Sequence, residues 1–432
     1  MRSKGPSRRK FLQQSVLAAA ALTLIPRNVL GGRGFIAAGD RINLGFIGTG
    51  RLARWYFEHF TNLPGVHLLA ASDVDARKLK KFKELVDGYY TRTTSNPSYS
   101  DCRTFGDYHE MLELRDLDAV VVATPDHWHA LASIDSMKAG KDVYCEKPLA
   151  HTIHEGREMV KTARLLGRVV QTGSMQRSWR DFRHACELVT NGYFGEIRRV
   201  LVNVGDPAVE CDLPGERIPE GLDWERWVGP APIRPYNQVL APPPENEEWP
   251  RWRMYREFGG GGLADWGAHM FDIAQWGLGM DDSGPVRFVP PENPEATRGL
   301  KMFYANGVEM IHEDFGRGWA VRFIGTEGRL DVSRSFLDSK PEYLAGIGIK
   351  DTDKRLYHSE NHYQDWIDAI KNRTRPVADV ETGHRSASVC NLANIAYRLH
   401  EELEWDPGKE KFPGNGQANR LRTRKYRKPY VL

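Results

Sequence analysis

"RINLGFIGTGRLARWYFEHF", residues 41–60, decides the fold of this chain. The apolar run Ile42 to Ile47 has the composition of a short buried strand. Gly48-Thr49-Gly50-Arg51-Leu52-Ala53 follows, a G-x-G-x-x-A turn. A helical pattern then places Ala53, Tyr56, Phe57 and Phe60 on one side. Glycine spacing alone is a weak signal. Strand, glycine turn and helix in that order are what a dinucleotide-binding unit requires. Gly48 permits the tight turn, Gly50 lets backbone approach a pyrophosphate at the helix N-terminus, and Ala53 keeps helix and strand close.

The segments downstream extend this unit. "VHLLAASDVD" reads as a second strand, and Asp73 lies 23 positions after Gly50, near the roughly 20-residue offset of a ribose-binding acid. A carboxylate there accepts from the adenosine 2′-hydroxyl and repels a 2′-phosphate, which favours NAD over NADP; Arg77 nearby softens that preference. Ala119–Ala123, Asp142–Cys145 and Arg168–Thr172 read as further strands, alternating with helices. Their continuous valine runs suit a parallel sheet buried on both faces. Ligands of such sheets lie beyond the carboxyl ends of the strands. Thr124-Pro125-Asp126-His127-Trp128-His129 occupies one such end and Glu146-Lys147-Pro148 another. His127 and His129 are spaced poorly for chelation, so no metal is expected and both are assigned to the pocket wall or loop. Lys147 is expected to point into the crevice.

"GGGGLADWGAHMFDIAQW", residues 259–276, carries a second signal. Leu263, Trp266, Met270 and Ile273 recur at helical steps, and Asp265 and His269 sit one turn apart on a shared face. A carboxylate beside an imidazole can fix its tautomer and raise its basicity. A satisfied pair on a packed helix is the alternative.

Composition bounds the whole. With 432 residues, 41% apolar and 27% charged, the chain is globular and long enough for two domains. The expected fold is α/β: a Rossmann domain over 39–173, then an α+β domain over 174–432 with a mainly antiparallel open sheet. "KMFYANGVEMIHEDF" predicts a hairpin with a two-residue turn at Asn306-Gly307. "HYQDWIDAIKN" and "ASVCNLANIAYRLHEEL" are expected to pack back across the domains. The proline-rich stretch 230–253 is expected near the pocket, where Trp249 and Trp252 either stack on a sugar face or simply pack.

The N-terminus reads differently. "SRRKFLQQSVLAAAALTLIP" pairs Arg8-Arg9 with an apolar stretch to Ile25, the pattern of a twin-arginine export signal over 1–38. Residues 1–33 hold seven basic and no acidic side chains, so without them the formal charge of +3 becomes −4. The basic segment "RLRTRKYRKPYVL" is expected to be solvated or pinned to an acidic neighbour, and nucleic-acid binding has no other support. The five cysteines are scattered without a C-x-x-C spacing and are expected to be mostly buried.

Taken together, "GFIGTGRLA", "ATPDHWH", "GKDVYCEKPLA", "VVQTGSMQRS", the glycine-led helix and "NHYQDWIDAIKNRTRPVADVETGHRSASVCNLANIAY" resemble, in order, the glucose–fructose oxidoreductase / inositol dehydrogenase / rhizopine-catabolism (Gfo/Idh/MocA) superfamily. The resemblance implies Lys147, Asp265 and His269 as the catalytic group. It implies cofactor contacts from Gly48, Thr49, Gly50, Arg51, Leu52, Ala53 and Asp73, with Thr124, Pro125, His129 and Glu146 near the nicotinamide half. The implied activity is NAD(P)-dependent oxidation of a secondary hydroxyl on a sugar, glycoside or polyol. The alternatives are a redox-neutral glycoside lyase or hydrolase using transient oxidation, and a carbohydrate-binding protein without turnover. In the first scheme His269 is the base, Lys147 stabilises the developing alkoxide, Asp265 orients His269 or binds a hydroxyl, and the glycine run brings the helix close to cofactor and substrate. Arg177, Trp179, Arg180 and Tyr255 are candidates for sugar hydroxyls. The expected setting is periplasmic, with tightly held NAD loaded before export, a carbohydrate substrate, the twin-arginine machinery as export partner, and a homodimer or homotetramer formed through the open sheet.

Overall fold

The computed structural model describes residues 41–94, 99–246 and 248–432; the expected export signal lies outside them. The first sheet is parallel and has six strands: β1 (Ile42–Ile47), β2 (Val66–Ser72), β3 (Arg103–Phe105), β4 (Ala119–Val122), β5 (Asp142–Cys145) and β6 (Val170–Thr172), in the order β3-β2-β1-β4-β5-β6. Ile47 pairs with Ser72 on one side and Val122 on the other. The Gly48 turn, Asp73 and Thr124 therefore emerge together at the carboxyl edge. Helices cover both faces, so Val120, Val121 and Val122 are fully buried and the strand shows no alternation.

The second sheet has eight strands: β7 (Ile197–Asn203), β8 (Arg287–Val289), β9 (Leu300–Phe303), β10 (Glu309–His312), β11 (Ala320–Gly325), β12 (Arg329–Ser333), β13 (Leu337–Lys340) and β14 (Leu403–Glu404). Their order is β13-β12-β11-β7-β10-β9-β8-β14. Only β7 and β10 pair parallel; the other neighbours are antiparallel. One face packs on the Arg180–Thr190 and Gly261–Gly277 helices, where Cys186, Met270 and Ile273 meet Val200, Val202 and Phe323. The other face carries cross-strand ion pairs such as Arg199–Glu309 at 2.6 Å and Arg322–Asp331 at 2.7 Å. The β9–β10 hairpin differs from the predicted two-residue turn. The Tyr304 amide donates to the Val308 carbonyl, leaving three residues in the loop with Gly307 at φ 86°. Tyr304 is turned inward, where its hydroxyl donates to Gln275 Oε1 at 2.6 Å, and that burial moves the closing pair outward by one residue.

The two domains share core. Tyr363, Trp366, Ile367 and Ile370 of the His362–Asn372 helix pack among Phe46, Phe60 and Tyr144 of the first domain. The Val380–Leu399 helix runs against both the Ile153–Leu166 and Gly261–Gly277 helices. All five cysteines are free and buried.

Candidate functional site

A cavity of about 610 Å³ opens over the carboxyl ends of β1, β2, β4 and β5, within the range of roughly 300–1,000 Å³ usual for ligand sites. At its first end, Gly48 has φ +86°, and a Cβ there would lie 2.9 Å from the Ala123 carbonyl oxygen. Only glycine lets the turn pass β4 so closely. Gly50 caps the Arg51–Thr61 helix without a side-chain bond, and nothing lies within 4 Å of the place a Cβ would take. Free first-turn amides behind an open glycine form an anion cradle, which fits the pyrophosphate of a dinucleotide. Gly48, Gly50, Arg51, Leu52 and Asp73 line this end.

Two of the expected cofactor contacts do not. Thr49 is buried because Asp73 Oδ2 accepts from its amide at 2.7 Å and its hydroxyl at 2.9 Å; Ala53 is buried against the sheet. Asp73 thus braces the glycine turn while also facing the cavity. His129 lines the wall, its two ring nitrogens within hydrogen-bond reach of the Pro148 and Thr124 carbonyls at 2.8 and 3.0 Å. His127 lies deeper, with Nε2 3.0 Å from the Trp227 carbonyl.

The other end holds the charged group. Lys147 Nζ crosses from β5 to donate to Asp265 Oδ1 at 2.6 Å and to the Asp265 carbonyl at 2.8 Å. Arg253 Nε lies 3.4 Å from the same carboxylate. Burial pushes the Asp265 carboxyl up, but Lys147 and Arg253 overcome it and hold the group well below the carboxylate range. His269 is buried, its Nε2 3.2 Å from an Arg334 guanidinium nitrogen and its Nδ1 without a partner among the described residues. Burial, Lys147 and Arg334 depress its proton affinity well below the ordinary histidine value, against a smaller opposing pull from Asp265. Burial pushes the Asp126 carboxyl up to about 8 and Glu146 up to about 7. Tyr56 donates its hydroxyl to Glu146.

Lys147, Asp265 and His269 line one cavity, but two expected relations differ. Asp265 does not orient His269. The helical spacing puts both on one face, and the ammonium arriving from the other domain is the stronger partner for a carboxylate. The glycine run, too, faces away from the cavity. Gly261 has φ +75°, and a Cβ on Gly262 would lie 2.9 Å from the Gly205 Cα. The run seats the helix against the 205–208 backbone, where the Leu263 amide donates to the Asp206 carbonyl at 2.8 Å.

None of the four proposed sugar-reading residues lines the cavity. Arg177 is buried between Asp272 and Asp281 at 2.8 and 2.7 Å, neutralised as a structural cation. Tyr255 is buried in the cluster around Trp227 and Phe258. Arg180 is exposed on its helix. Trp179 is 38% exposed and reaches the site only through Arg334, whose guanidinium lies 5.3 Å from its ring centre. The proline-rich loop does line the cavity: Trp249 lies under Arg51 at 4.6 Å and Trp252 under Arg253 at 4.3 Å.

Arg253, Arg334, Asp126 and Tyr430 also line the cavity without having been named as site residues from sequence, as does Trp266, named only for its helical spacing. Asp126 lies in the Thr124–His129 segment at a helix start beyond a strand, and that position is a usable signal. Arg334 and Tyr430 had none, because only chain folding brings them near His269 and Trp128. The basic segment is pinned: Arg424 Nε donates to Glu155 at 2.7 Å, and Tyr430 meets Trp128 edge-on at 5.3 Å.

The oxidoreductase-family model for the NAD-binding Rossmann fold (Gfo/Idh/MocA) matches residues 42–174, and the model for that family's C-terminal alpha/beta domain matches residues 208–432. A glycosyl hydrolase family 109 protein of Shewanella sp. (strain ANA-3) is 29% identical over 211 residues, 45% of this chain and 44% of that protein. One from Stenotrophomonas maltophilia (strain K279a) is 27% identical over 231 residues, 51% and 49% of the two chains. The match therefore spans about half the length of these curated relatives. Among solved structures, the WlbA dehydrogenase from Bordetella pertussis, in complex with NADH and UDP-GlcNAcA, superposes with TM-score 0.61 at 19% identity over 85% of this chain and 98% of that one. An aldose-aldose oxidoreductase from Caulobacter crescentus, complexed with glycerol, gives 0.59 at 18% identity over 84% and 99%. At such identities the likeness is one of fold.

Proposed function

The chain belongs to the Gfo/Idh/MocA oxidoreductase family, and we propose that it oxidises a secondary hydroxyl of a sugar, glycoside or polyol with a retained NAD. The observation that carries this is Lys147, fixed by Asp265 beside His269, in the same cavity as the Gly48–Gly50 cradle. When bound, the nicotinamide supplies the hydride acceptor. The protein handles the proton and the charge. As hydride leaves carbon, the hydroxyl proton must go to a base, and neutral His269 offers a ring nitrogen for it. Lys147 Nζ donates to the oxygen on which charge develops. Asp265 keeps that ammonium aimed. Asp73 at the ribose end supports NAD over NADP.

The Arg8-Arg9 segment supports export through the twin-arginine route to the periplasm, with the cofactor loaded first and kept. The open face of the second sheet supports self-association. Mass spectrometry of nucleotide released on denaturing the purified protein tests retention: NAD in near-equal amount to chain is the expected result, and NADP or no nucleotide overturns it.

A second reading is favoured by Asp126 and Glu146, whose raised proton affinities make them proton donors near neutrality. Donors beside a hydride site suit transient oxidation, elimination or hydration, and return of the hydride, a redox-neutral cleavage. The relatives named glycosyl hydrolase family 109 support it. Absorbance at the nicotinamide band separates the two: lasting NADH with substrate alone supports net oxidation, and bond cleavage without net NADH supports the second scheme.

A further inference from the structure

Arg334 differs from Lys147 and Arg253, the two cations nearest it at the Asp265 end of the cavity. Lys147 and Arg253 are committed to Asp265. Arg334 forms no ion pair with any carboxylate of the described residues, and its one hydrogen-bond contact is His269 Nε2 at 3.2 Å. It is nevertheless held in place. It sits on the tight β12–β13 turn, where Ser333 Oγ accepts from the Ser335 and Phe336 amides at 3.1 and 3.2 Å. Its guanidinium lies 4.7 Å from the Trp266 ring centre and 5.3 Å from that of Trp179. Trp266 in turn stacks on Trp319 at 5.6 Å, and Trp179 and Trp319 are 38% and 40% exposed. A planar cation positioned by two indoles, with most of its N–H donors unspent, is prepared to receive a planar anion in two parallel hydrogen bonds.

We propose that Arg334 binds the carboxylate of a uronic-acid-type substrate, an anionic sugar or glycoside, beside the hydroxyl that is oxidised. The inference rests on the oxidoreductase reading of the same site and names its substrate class. It has a consequence for the base. An Arg334 N–H now occupies the Nε2 lone pair that His269 needs to accept a proton. The groups facing His269 are Lys147, Asp265, Arg334 and His362. A carboxylate engages the Arg334 donors and cancels its charge, which frees Nε2 and raises its basicity. The anionic substrate therefore switches on its own base, and a neutral sugar does not. The exposed ring of Trp319 continues the ledge outward, where a further sugar of a glycoside can stack.

The test uses the full NAD-loaded protein and paired probes: methyl glucuronide, galacturonide and mannuronide, each against its neutral glycoside, with glucose 6-phosphate as a second anion. Calorimetry reads binding and nicotinamide absorbance reads turnover. At least one uronide should bind tenfold or more tightly than its neutral partner. Arg334→Met should erase that preference, and Arg334→Lys should restore part of it; both variants are first checked for an unchanged melting transition. Absence of any uronide preference, its survival in Arg334→Met, or preferential binding of the phosphate overturns the proposal. Neutral glycosides that reduce NAD while uronides do not would sink the carboxylate assignment and leave the oxidoreductase reading standing. Arg334-dependent uronide binding with neither nicotinamide change nor cleavage would do the reverse.

Discussion

An imidazole buried between two cations holds a proton weakly. Desolvation, Lys147 and Arg334 all favour the neutral form of His269, and the nearby Asp265 carboxylate is spent on Lys147. With Nε2 accepting from Arg334, the ring proton sits on Nδ1. Nitrogen-15 spectra of the unliganded protein should show the Nδ1–H tautomer of His269, with protonation only well below pH 6.5. Arg334→Met should move that midpoint upward. A wild-type midpoint at or above 6.5 would contradict the arrangement. His269→Ala should lower turnover by roughly 10²–10⁴-fold, the usual worth of a positioned base. The motifs that carry the family resemblance pointed to Lys147, Asp265 and His269, and the three share one cavity. Their pairing was not, because an i, i+4 spacing states which side chains share a face and is silent about what arrives from another domain.

The glycine-led helix shows what an element needs beyond periodicity. Four glycines in front of Leu263 signalled a close approach, and the approach is to the 205–208 backbone, not to a ligand. A methyl on Gly262 would meet the Gly205 Cα at 2.9 Å and the Asp206 amide nitrogen at 3.2 Å, backbone atoms with little room to move. Gly262→Ala should therefore cost about 1–3 kcal/mol of stability by overpacking. It should also lower activity, since the displaced helix carries Asp265 and His269. Chemical denaturation beside turnover checks this. Unchanged stability would mean the contact is looser than the distances say. The Gly48 turn was legible at the same scale because its demand is local: a positive φ and a tight pass over the next strand.

Across the whole molecule the 422–430 segment ties the parts together. Arg422 Nη1 donates to the Glu410 carbonyl, Arg424 pairs with Glu155, and the Arg427 amide donates to the Pro230 carbonyl at 3.1 Å. Tyr430 then reaches the cavity beside Trp128. Burial pushes the Glu155 carboxyl up, and Arg424, His151 and the Tyr426 hydroxyl together more than offset it, leaving the group below its ordinary value. Removing the cation strands a buried charge. Arg424→Met should cost about 3–5 kcal/mol, and adding Glu155→Gln should recover part of the loss. Equilibrium unfolding of the single and double variants measures both. A single variant as stable as the parent would show the strap to be dispensable.

The sequence by itself determined whatever depends on near neighbours in the chain: the order of strands and helices in the first domain, the glycine turn, the helix bearing Asp265 and His269, and the part of the cavity lining that those local motifs carry. Backbone sterics and side-chain periodicity act over a few residues, so they leave a local trace. Tertiary structure alone decided which charge meets which. Lys147 takes Asp265, Arg334 lies against His269, Arg177 is buried by two aspartates, and the basic segment closes on Glu155. Electrostatic pairing depends on distance and burial in space, and the partners here are separated by 65 to 269 residues of chain.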